Sequence, residues 1–378
     1  MNGPMAACPA CLRRSLLIGR LASRLAGLLA RPPEQRTSGV LGLGCEELIR
    51  TLVSGDERGA IERWLEELDP DAVADELHEA GIEALCLHNN GYPHGLAFSA
   101  DPPPVLWALG GLDRLDHALS APVITVVGTR RPSPYGREMA YALGHDLASA
   151  GATVVSGLAL GVDAASHRGA LDGRGTPVAV VANGPDMAYP RTNMDLWRRV
   201  AERGLVVSEL PPGQRPYRWS FPARNRIMAA AAEVTIVVEA GEPSGSLITA
   251  RFAEGLGRAV GAVPGRATSR VAAGANRLLR DGAAVIRDAD DVLAELTSES
   301  RTLLRGPVER DSASDVPPGL DAAAGRVLEA VEQEQGLEAI GRRARLAASE
   351  VRSALARLEG AGLVRRDPLG RYLRRAGG

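Results

Sequence analysis

The centre of the chain alternates short apolar runs with stretches of helical spacing. The runs are continuous and rich in valine, which is typical of strands buried on both faces of a sheet. They fall at residues 123–127, 153–156, 178–182, 205–207, 234–239 and 259–263. This order predicts an α/β domain at residues 119–297 with a doubly wound, mostly parallel Rossmann-like sheet. Ligands of such sheets bind beyond the carboxyl ends of the strands.

The segments on either side of this domain have different patterns. Leucines at helical spacing predict an N-terminal helical domain at residues 1–85. Residues 86–118 are rich in proline and glycine and form a predicted connecting segment, with one strand at Val105–Leu109. The polar residues 298–319 predict a linker. Residues 320–378 predict three helices followed by a basic β-ribbon, which is the pattern of a winged helix.

The charge distribution favours a polyanion at the centre and the C-terminal end of the chain. Residues 1–118 carry 10 arginines against 17 acids, whereas residues 119–297 carry 20 against 17 and residues 320–378 carry 11 against 8. The net charge is only −2, so a binding site for a polyanion has to be local. The chain contains no lysine, which excludes a P-loop ATPase and Schiff-base chemistry.

The cysteines indicate a reducing compartment, and we expect the chain to be cytoplasmic. Cys8 and Cys11 form a C-x-x-C pair, but a zinc site needs further ligands, and Cys45 and Cys86 are single and far apart in sequence. We therefore expect no metal and no cofactor. Arginines interrupt the apolar stretch near the N-terminus, so we expect neither a membrane span nor a signal peptide.

Several predicted strands end in small or basic residues. Gly128-Thr129-Arg130 follows the first strand, where glycine permits close approach of an anion and the guanidinium donates forked hydrogen bonds. Ser156-Gly157 follows the second strand and precedes a helix, which suits a phosphate, although a glycine that only packs in the turn explains it equally well. Ser244-Gly245-Ser246 repeats the arrangement and predicts a further anion site.

The segment at residues 215–226 carries the strongest signal. It contains four arginines and three aromatic residues and no acid, in a chain with only 3% aromatic residues. Phosphates favour arginine and unstacked bases favour aromatic faces, so the segment predicts binding of single-stranded DNA. Arg224 and Arg226 lie at the start of a predicted helix, where acids are favoured, and a phosphate contact would explain them. The alternative is that Trp219 and Phe221 pack beneath the loop and leave the arginines in solvent.

No convincing catalytic pattern accompanies these loops. The sequence has no G-x-S-x-G elbow, no H-E-x-x-H motif and no paired carboxylates next to a base. His167 lies on a predicted helix, and we interpret it as a packing or capping residue. The loops therefore predict a binding protein.

The motifs of the central domain resemble those of the DprA/Smf family of DNA-processing proteins. They cover about residues 122–296 and include VGTRRPSPYG, VSGLALGVDAASHRGAL, SELPPG, FPARNRIMAAAA and EAGEPSGSLITARFAEGLGR. The resemblance implies a non-enzymatic protein that binds single-stranded DNA, protects incoming DNA in natural transformation, forms a homodimer and hands DNA to the recombinase RecA.

The resemblance also implies a set of DNA-binding residues. They are Gly128, Thr129, Arg130, Ser156, Gly157, Phe221, Arg224, Asn225, Arg226, Ser244, Gly245 and Ser246. Two positions depart from the family pattern. Leu160 stands where a basic or polar residue is frequent, and residues 183–186 read Asn-Gly-Pro-Asp where Gly-Gly-Leu-Asp is usual.

Two other functions are open at this point. The Gly/Ser loop at residues 241–249 is similar to that of nucleotide-processing phosphoribohydrolases, but those carry a catalytic glutamate where this chain has Thr249 and Ala250. A winged helix would also suit a transcriptional regulator, although the candidate recognition helix at residues 349–360 offers little beyond Arg352 and Arg357 for base contacts.

Overall fold

The computed structural model describes residues 7–29, 40–89, 91–97, 99, 102–304, 322–333, 337–344, 346–361, 363–366 and 372–374. The chain divides into two compact units, Met1–Gly306 and Pro307–Gly378. Each unit is described by itself.

The first unit contains one large sheet and fourteen described α-helices. Its strands are β1 Ile82–Cys86, β2 Val105–Leu109, β3 Val123–Val127, β4 Thr153–Ser156, β5 Val178–Val181, β6 Leu205–Ser208, β7 Val234–Val237, β8 Ala259–Ala262 and β9 Ala284–Val285. Its helices are α1 Pro9–Leu29, α2 Cys45–Leu52, α3 Glu57–Glu67, α4 Pro70–Glu79, α5 His94–Ala97, α6 Leu112–Leu119, α7 Pro134–Ser149, α8 Val162–Asp172, α9 Met194–Arg203, α10 Ser220–Ala231, α11 Gly245–Gly255, α12 Ala273–Arg280, α13 Ala289–Ala294 and α14 Ser298–Leu303.

The nine strands lie in the order β1-β2-β6-β5-β4-β3-β7-β8-β9. The seven strands from β3 onwards are parallel, which confirms the predicted Rossmann-like α/β fold. From β3 the chain first builds outwards to β6 and then returns to place β7 on the other side of β3. The direction of winding therefore changes between β3 and β7, as in doubly wound sheets.

The sheet extends further upstream than the sequence predicts. The strand predicted at Val105–Leu109 is confirmed as β2, but it joins the large sheet by pairing antiparallel with β6. β1 lies in the part that was predicted to be helical, and it pairs antiparallel with β2. The predicted boundaries at residues 85 and 118 thus fall inside one compact unit.

Alternation along β3 shows how the sheet is covered on both faces. Ile124 and Val126 pack in one apolar cluster with α7, α8 and α13, whereas Val123 and Val127 pack in another with α10, α11 and α12. Successive side chains of a strand point to opposite faces, so a strand that is buried throughout requires helices on both sides.

The N-terminal helices pack against the β1–β2 side of the unit. The indole nitrogen of Trp107, on β2, donates to the Ser15 hydroxyl of α1 at 2.8 Å. Leu17, Leu21 and Leu25 of α1 form an apolar cluster with α2, α3 and the segment after β6. No described helix of the chain is both long enough and apolar enough to cross a bilayer.

The second unit contains three described helices and a two-stranded antiparallel sheet. They are α15 Ala322–Gln333, α16 Leu337–Ala344, α17 Ala348–Gly360, β10 Val364–Arg366 and β11 Tyr372–Arg374. These elements agree with the three helices and β-ribbon of the prediction, whereas the assignment as a winged helix stays a prediction. The turn that the predicted β-ribbon requires, at Asp367-Pro368-Leu369-Gly370, lies outside the described residues. The predicted linker begins with α14, and residues 305–319 lie outside the described part.

Candidate nucleic-acid interface

A cavity of about 170 Å³ lies beyond the carboxyl ends of β3, β4 and β5. Its lining combines groups from the loops that follow these strands with the first turns of α10. The lining residues are Arg130, Gly157, Ala159, Leu160, Val181, Ala182, Asn183, Tyr189, Pro190, Phe221 and Arg224. Four of the twelve predicted DNA-binding residues therefore meet in one place: Arg130, Gly157, Phe221 and Arg224. We call this cavity the strand-end pocket.

Aromatic faces and an exposed guanidinium meet in the strand-end pocket. The guanidinium carbon of Arg130 lies 5.3 Å from the centre of the Phe221 ring. The Phe221 and Tyr189 rings are 5.9 Å apart and tilted by 52°, and Tyr189 is 42% exposed. A flat ring can pack against these aromatic faces while an anion approaches Arg130.

Arg224 is part of the buried side of the pocket. Its Nη1 donates to the carbonyl of Val180 at 2.6 Å, and its guanidinium lies so close to Gly157 that a Cβ added there would overlap it. Burial lowers the pKa of Arg224, and the Asp163 carboxyl opposes that shift. Gly157 therefore has a structural reason to be glycine, because the guanidinium occupies the space of a side chain.

Asp163 balances the charge of Arg224. Its carboxylate accepts hydrogen bonds from the backbone nitrogens of Gly157 at 3.1 Å and Ala159 at 3.4 Å. Burial raises the pKa of Asp163, while Arg224 and these backbone bonds oppose the rise. The loop after β4 is thus held by an aspartate at the start of α8, which fixes one wall of the pocket.

Arg226 points into the protein. Its Nη2 lies 2.5 Å from a carboxylate oxygen of Glu209, and the two side chains are only 10% and 8% exposed. A phosphate contact was the sequence-based explanation for Arg224 and Arg226 at the start of a predicted helix, but α10 begins earlier, at Ser220. The structure provides another, since a buried acid after β6 receives Arg226 and a strand-end carbonyl receives Arg224.

The other predicted residues lie around the pocket, and most of their polar groups are bonded within the protein. The Ser156 hydroxyl donates to the Val126 carbonyl at 2.6 Å and is fully buried. The backbone nitrogen of Thr129 donates to the Glu239 carbonyl at 2.7 Å. A Cβ added to Gly128 would meet that same carbonyl, so the loops after β3 and β7 approach closely where the winding changes. The predicted role of these residues in DNA binding stays a prediction.

The Ser244-Gly245-Ser246 loop forms the start of α11. Ser244 caps the helix, with its hydroxyl accepting from the backbone nitrogen of Ser246. The side-chain nitrogen of Asn225 donates to the Gly245 carbonyl at 3.1 Å and joins this loop to α10. Helix α10 therefore connects the strand-end pocket to the anion site that the sequence predicts at residues 244–246.

The aromatic residues of the 215–226 segment have different roles. The Trp219 indole donates to the Ala22 carbonyl of α1 at 3.3 Å and packs with the N-terminal helices, as the packing alternative supposed. Phe221 instead lines the pocket. Tyr189 was not among the predicted site residues, because its isolated Tyr-Pro signal does not reveal that it would meet Phe221.

The structure shows where the two departures from the family pattern lie, at Leu160 and at the turn of residues 183–186. Leu160 lies on the pocket wall and is 42% exposed, so an apolar side chain stands where a charged group is frequent. The turn at residues 183–186 is well bonded. The Asn183 side-chain nitrogen donates to the Met187 carbonyl at 2.6 Å, and the Asp186 carboxylate accepts from the backbone nitrogen of Gly213 at 3.0 Å.

His167 lies on α8, on the side of the helix that faces the protein interior. It is fully buried, and desolvation lowers its pKa to about 3, so the imidazole is neutral at neutral pH. This agrees with the interpretation of His167 as a packing residue, since a general base has to reach its substrate.

Comparisons with known proteins agree with this geometry. The family model described as DNA recombination-mediator protein A matches residues 83–297. The chain is 33% identical to the Smf protein of Synechocystis, over 82% of this chain and 84% of that one. It is 42% identical to a protein described as the putative DNA processing protein DprA of Mycobacterium tuberculosis, over 73% and 70%.

Solved structures support the same assignment. The X-ray structure of DNA processing protein A from Streptococcus pneumoniae matches with a TM-score of 0.59 and 30% identity, over 76% of this chain and 96% of that one. DNA processing protein A from Helicobacter pylori, which is described as having a unique single-stranded DNA binding mode, matches with a TM-score of 0.50 and 32% identity, over 56% and 93%. Fold, motifs and relatives agree, and the chain belongs to the DNA recombination-mediator protein A family, which is the DprA/Smf family.

Proposed function

We propose that the chain binds single-stranded DNA at the strand-end pocket. Arg130 contacts a backbone phosphate, and a base stacks against Phe221 and Tyr189. The observation that carries this proposal is the meeting of an exposed guanidinium with two aromatic rings at the carboxyl ends of parallel strands. Bases of a duplex are already stacked on one another, so a pocket of this kind selects an unpaired strand.

Family membership supports the DNA ligand and excludes the enzymatic alternative. The family is one of recombination mediators and not of enzymes, so the chain is not a nucleotide-processing phosphoribohydrolase. The related Helicobacter pylori protein has a described single-stranded DNA binding mode, which supports the same ligand here. The role that we propose in the cell goes beyond DNA binding. As a homodimer, the chain protects incoming DNA and loads RecA onto it in natural transformation and homologous recombination.

The DNA site is tested by fluorescence anisotropy of a labelled oligo-dT over a salt series. Arg130→Ala should weaken binding and reduce the dependence of log K on log salt by about 0.7, because one phosphate contact is lost. Phe221→Leu should cost about 1–3 kcal/mol at every salt concentration, because it removes stacking and not charge.

Two exposed residues outside the pocket provide matched controls. Arg168→Ala removes an exposed guanidinium from α8, and Phe252→Leu removes a ring that is 38% exposed on α11. Both should bind oligo-dT as the wild type does. Wild-type binding by both pocket variants would contradict the site, and equal losses in the control variants would show that the effect is not local.

The RecA role needs its own assay. DNA that is coated with a single-stranded DNA-binding protein delays the start of RecA ATP hydrolysis, and the chain should shorten that delay. A chain that binds oligo-dT but leaves the delay unchanged would contradict the RecA role alone. Sedimentation equilibrium of the DNA-free chain tests the homodimer.

A further inference from the structure

Three cysteines and a histidine meet where α1 begins beside the end of β1. Cys8 immediately precedes α1, Cys11 lies in its first turn, Cys86 ends β1 and His88 lies in the following turn. Their ligand atoms all lie within 4.8 Å of one another. We propose that these four residues bind a structural zinc ion as a Cys3His site.

The distances suit a tetrahedral zinc site. Zinc–sulfur bonds of about 2.3 Å and zinc–nitrogen bonds of about 2.0–2.1 Å place a sulfur and a nitrogen of one tetrahedron roughly 3.5 Å apart. The Nδ1 of His88 lies 3.3 Å from the Cys11 sulfur, 3.5 Å from the Cys8 sulfur and 3.9 Å from the Cys86 sulfur. One ring nitrogen can make a good hydrogen bond with one thiol, but three sulfurs around it are explained by a shared cation.

The donor set selects zinc among the common metals. Three thiolates and one imidazole in a tetrahedron form a known type of structural zinc site, whereas calcium and magnesium prefer oxygen ligands. Three thiolates and one Zn²⁺ leave one negative charge, which the positive end of α1 stabilises. The first turn of α1 contains no acid that would oppose this, and the backbone nitrogen of Cys8 lies 3.4 Å from the Cys86 sulfur.

A redox-active C-x-x-C pair is the competing explanation for Cys8 and Cys11. All four cysteines of the chain are free thiols. Cys11 is 7% exposed and Cys86 is fully buried, whereas reactive cysteines are accessible. A Cys8–Cys11 disulfide would also not explain why Cys86 and His88 lie in the same cluster. The sequence-based argument counted cysteines along the chain, whereas the fold brings Cys86 and a histidine beside the C-x-x-C pair.

The position of the site indicates what the metal does. It ties the first turn of α1 to the outer strand of the nine-stranded sheet. Further along, α1 packs against Leu210 and accepts the hydrogen bond from Trp219, in the segment that leads into α10 and Phe221. The zinc ion therefore fixes the helix that supports one approach to the strand-end pocket, and it does so whether or not that pocket binds DNA.

The test measures zinc in the full-length chain, purified without a metal-binding tag and under reducing conditions. Elemental mass spectrometry should find one zinc ion per chain in the wild type and in the matched control Cys45→Ser, whose cysteine lies outside the cluster. Cys86→Ser and His88→Ala should lose it. His88 is exposed, so its replacement removes a ligand without opening the core, and this variant decides the matter should Cys86→Ser fail to fold.

Cobalt substitution and chelation give independent readouts. Co²⁺ should produce the intense visible bands of a tetrahedral thiolate site in the wild type and not in His88→Ala. A strong chelator should lower the thermal midpoint of the wild type and of Cys45→Ser, and leave that of His88→Ala unchanged. Equal trace zinc in all variants or a weak octahedral cobalt spectrum would each overturn the proposal.

Discussion

Replacing Arg226 by methionine removes one half of an ion pair that is almost closed to solvent. The Arg226 side chain is 10% exposed and that of Glu209 8%, with 2.5 Å between their nearest charged atoms. Methionine fills the space of the aliphatic part of the arginine side chain and carries no charge. The perturbation is therefore mainly the loss of a charge, and Glu209 keeps its charge in a site with little water.

The size of the effect follows from this burial. Breaking a buried pair by removing one partner costs about 3–5 kcal/mol, because the remaining charge loses its ion-pair partner in a site with little water. At about 2–4 °C per kcal/mol for a large domain, the thermal midpoint should fall by roughly 6–20 °C. Glu209→Gln combined with Arg226→Met removes both charges, and the double variant should recover most of the loss, with a coupling energy of about 2–3 kcal/mol.

Two measurements test this. Urea unfolding of the wild type, both single variants and the double variant gives the coupling energy, and oligo-dT binding is measured at a temperature where all four proteins are folded. The double variant should bind oligo-dT as the wild type does, whereas Arg130→Ala should not. A folded and stable double variant that has lost affinity would show that Arg226 contacts DNA, as the sequence suggested. A single Arg226→Met variant with unchanged stability would refute the reasoning about the buried pair.

Three further predictions follow from the same region and from the second unit. Gly157→Ala should cost about 1–3 kcal/mol in urea unfolding, because its Cβ would overlap Arg224, while Gly245→Ala, which has open space among the described residues, should be close to neutral. The folded-state pKa of His167 is about 3, below its unfolded value of 6.5, so stability is fully present above pH 6.5 and falls with pH below it. From pH 7 to pH 5 the free energy of unfolding of the wild type should fall by about 2 kcal/mol more than that of His167→Gln. The opposing effect of Asp163 is common to both proteins. Equal losses would contradict a buried neutral imidazole. A fragment of residues 1–304 should retain oligo-dT binding in the anisotropy assay, and loss of binding would assign DNA contacts to the second unit.

Six of the seven parallel strands could be predicted from the sequence, because they are continuous apolar runs with helical spacing between them, whereas the two-residue β9 is too short for such a pattern. β1 could not, since residues 82–86 mix Glu83 with apolar residues and become a strand only by pairing with β2. Four of the twelve site residues that the resemblance implies line the strand-end pocket, and their role in DNA binding stays a prediction. Sequence reasoning did not show which way each side chain turns, because that depends on distant partners such as Glu209 for Arg226 and the Val180 carbonyl for Arg224.

The metal-ligand cluster shows the same limit in another form. Cys8 and Cys86 are separated by 78 positions, and only the pairing of β1 with the sheet and the docking of α1 bring them together. Motif spacing detects ligands that are neighbours along the chain, whereas a site shared between a helix start and a strand end is a property of the tertiary fold.

The pairing of β2 with β6 limits how the protein can be divided. Trp107 to Leu109 cover the outer side of β6, which is a fully buried strand. A fragment that began at residue 119 would leave the backbone of β6 as an open edge beside exposed apolar side chains, which is a template for intermolecular strand pairing. The α/β domain predicted at residues 119–297 is therefore not a suitable soluble fragment, and a fragment that keeps both β2 and β6 paired with their neighbours has to begin upstream of β1.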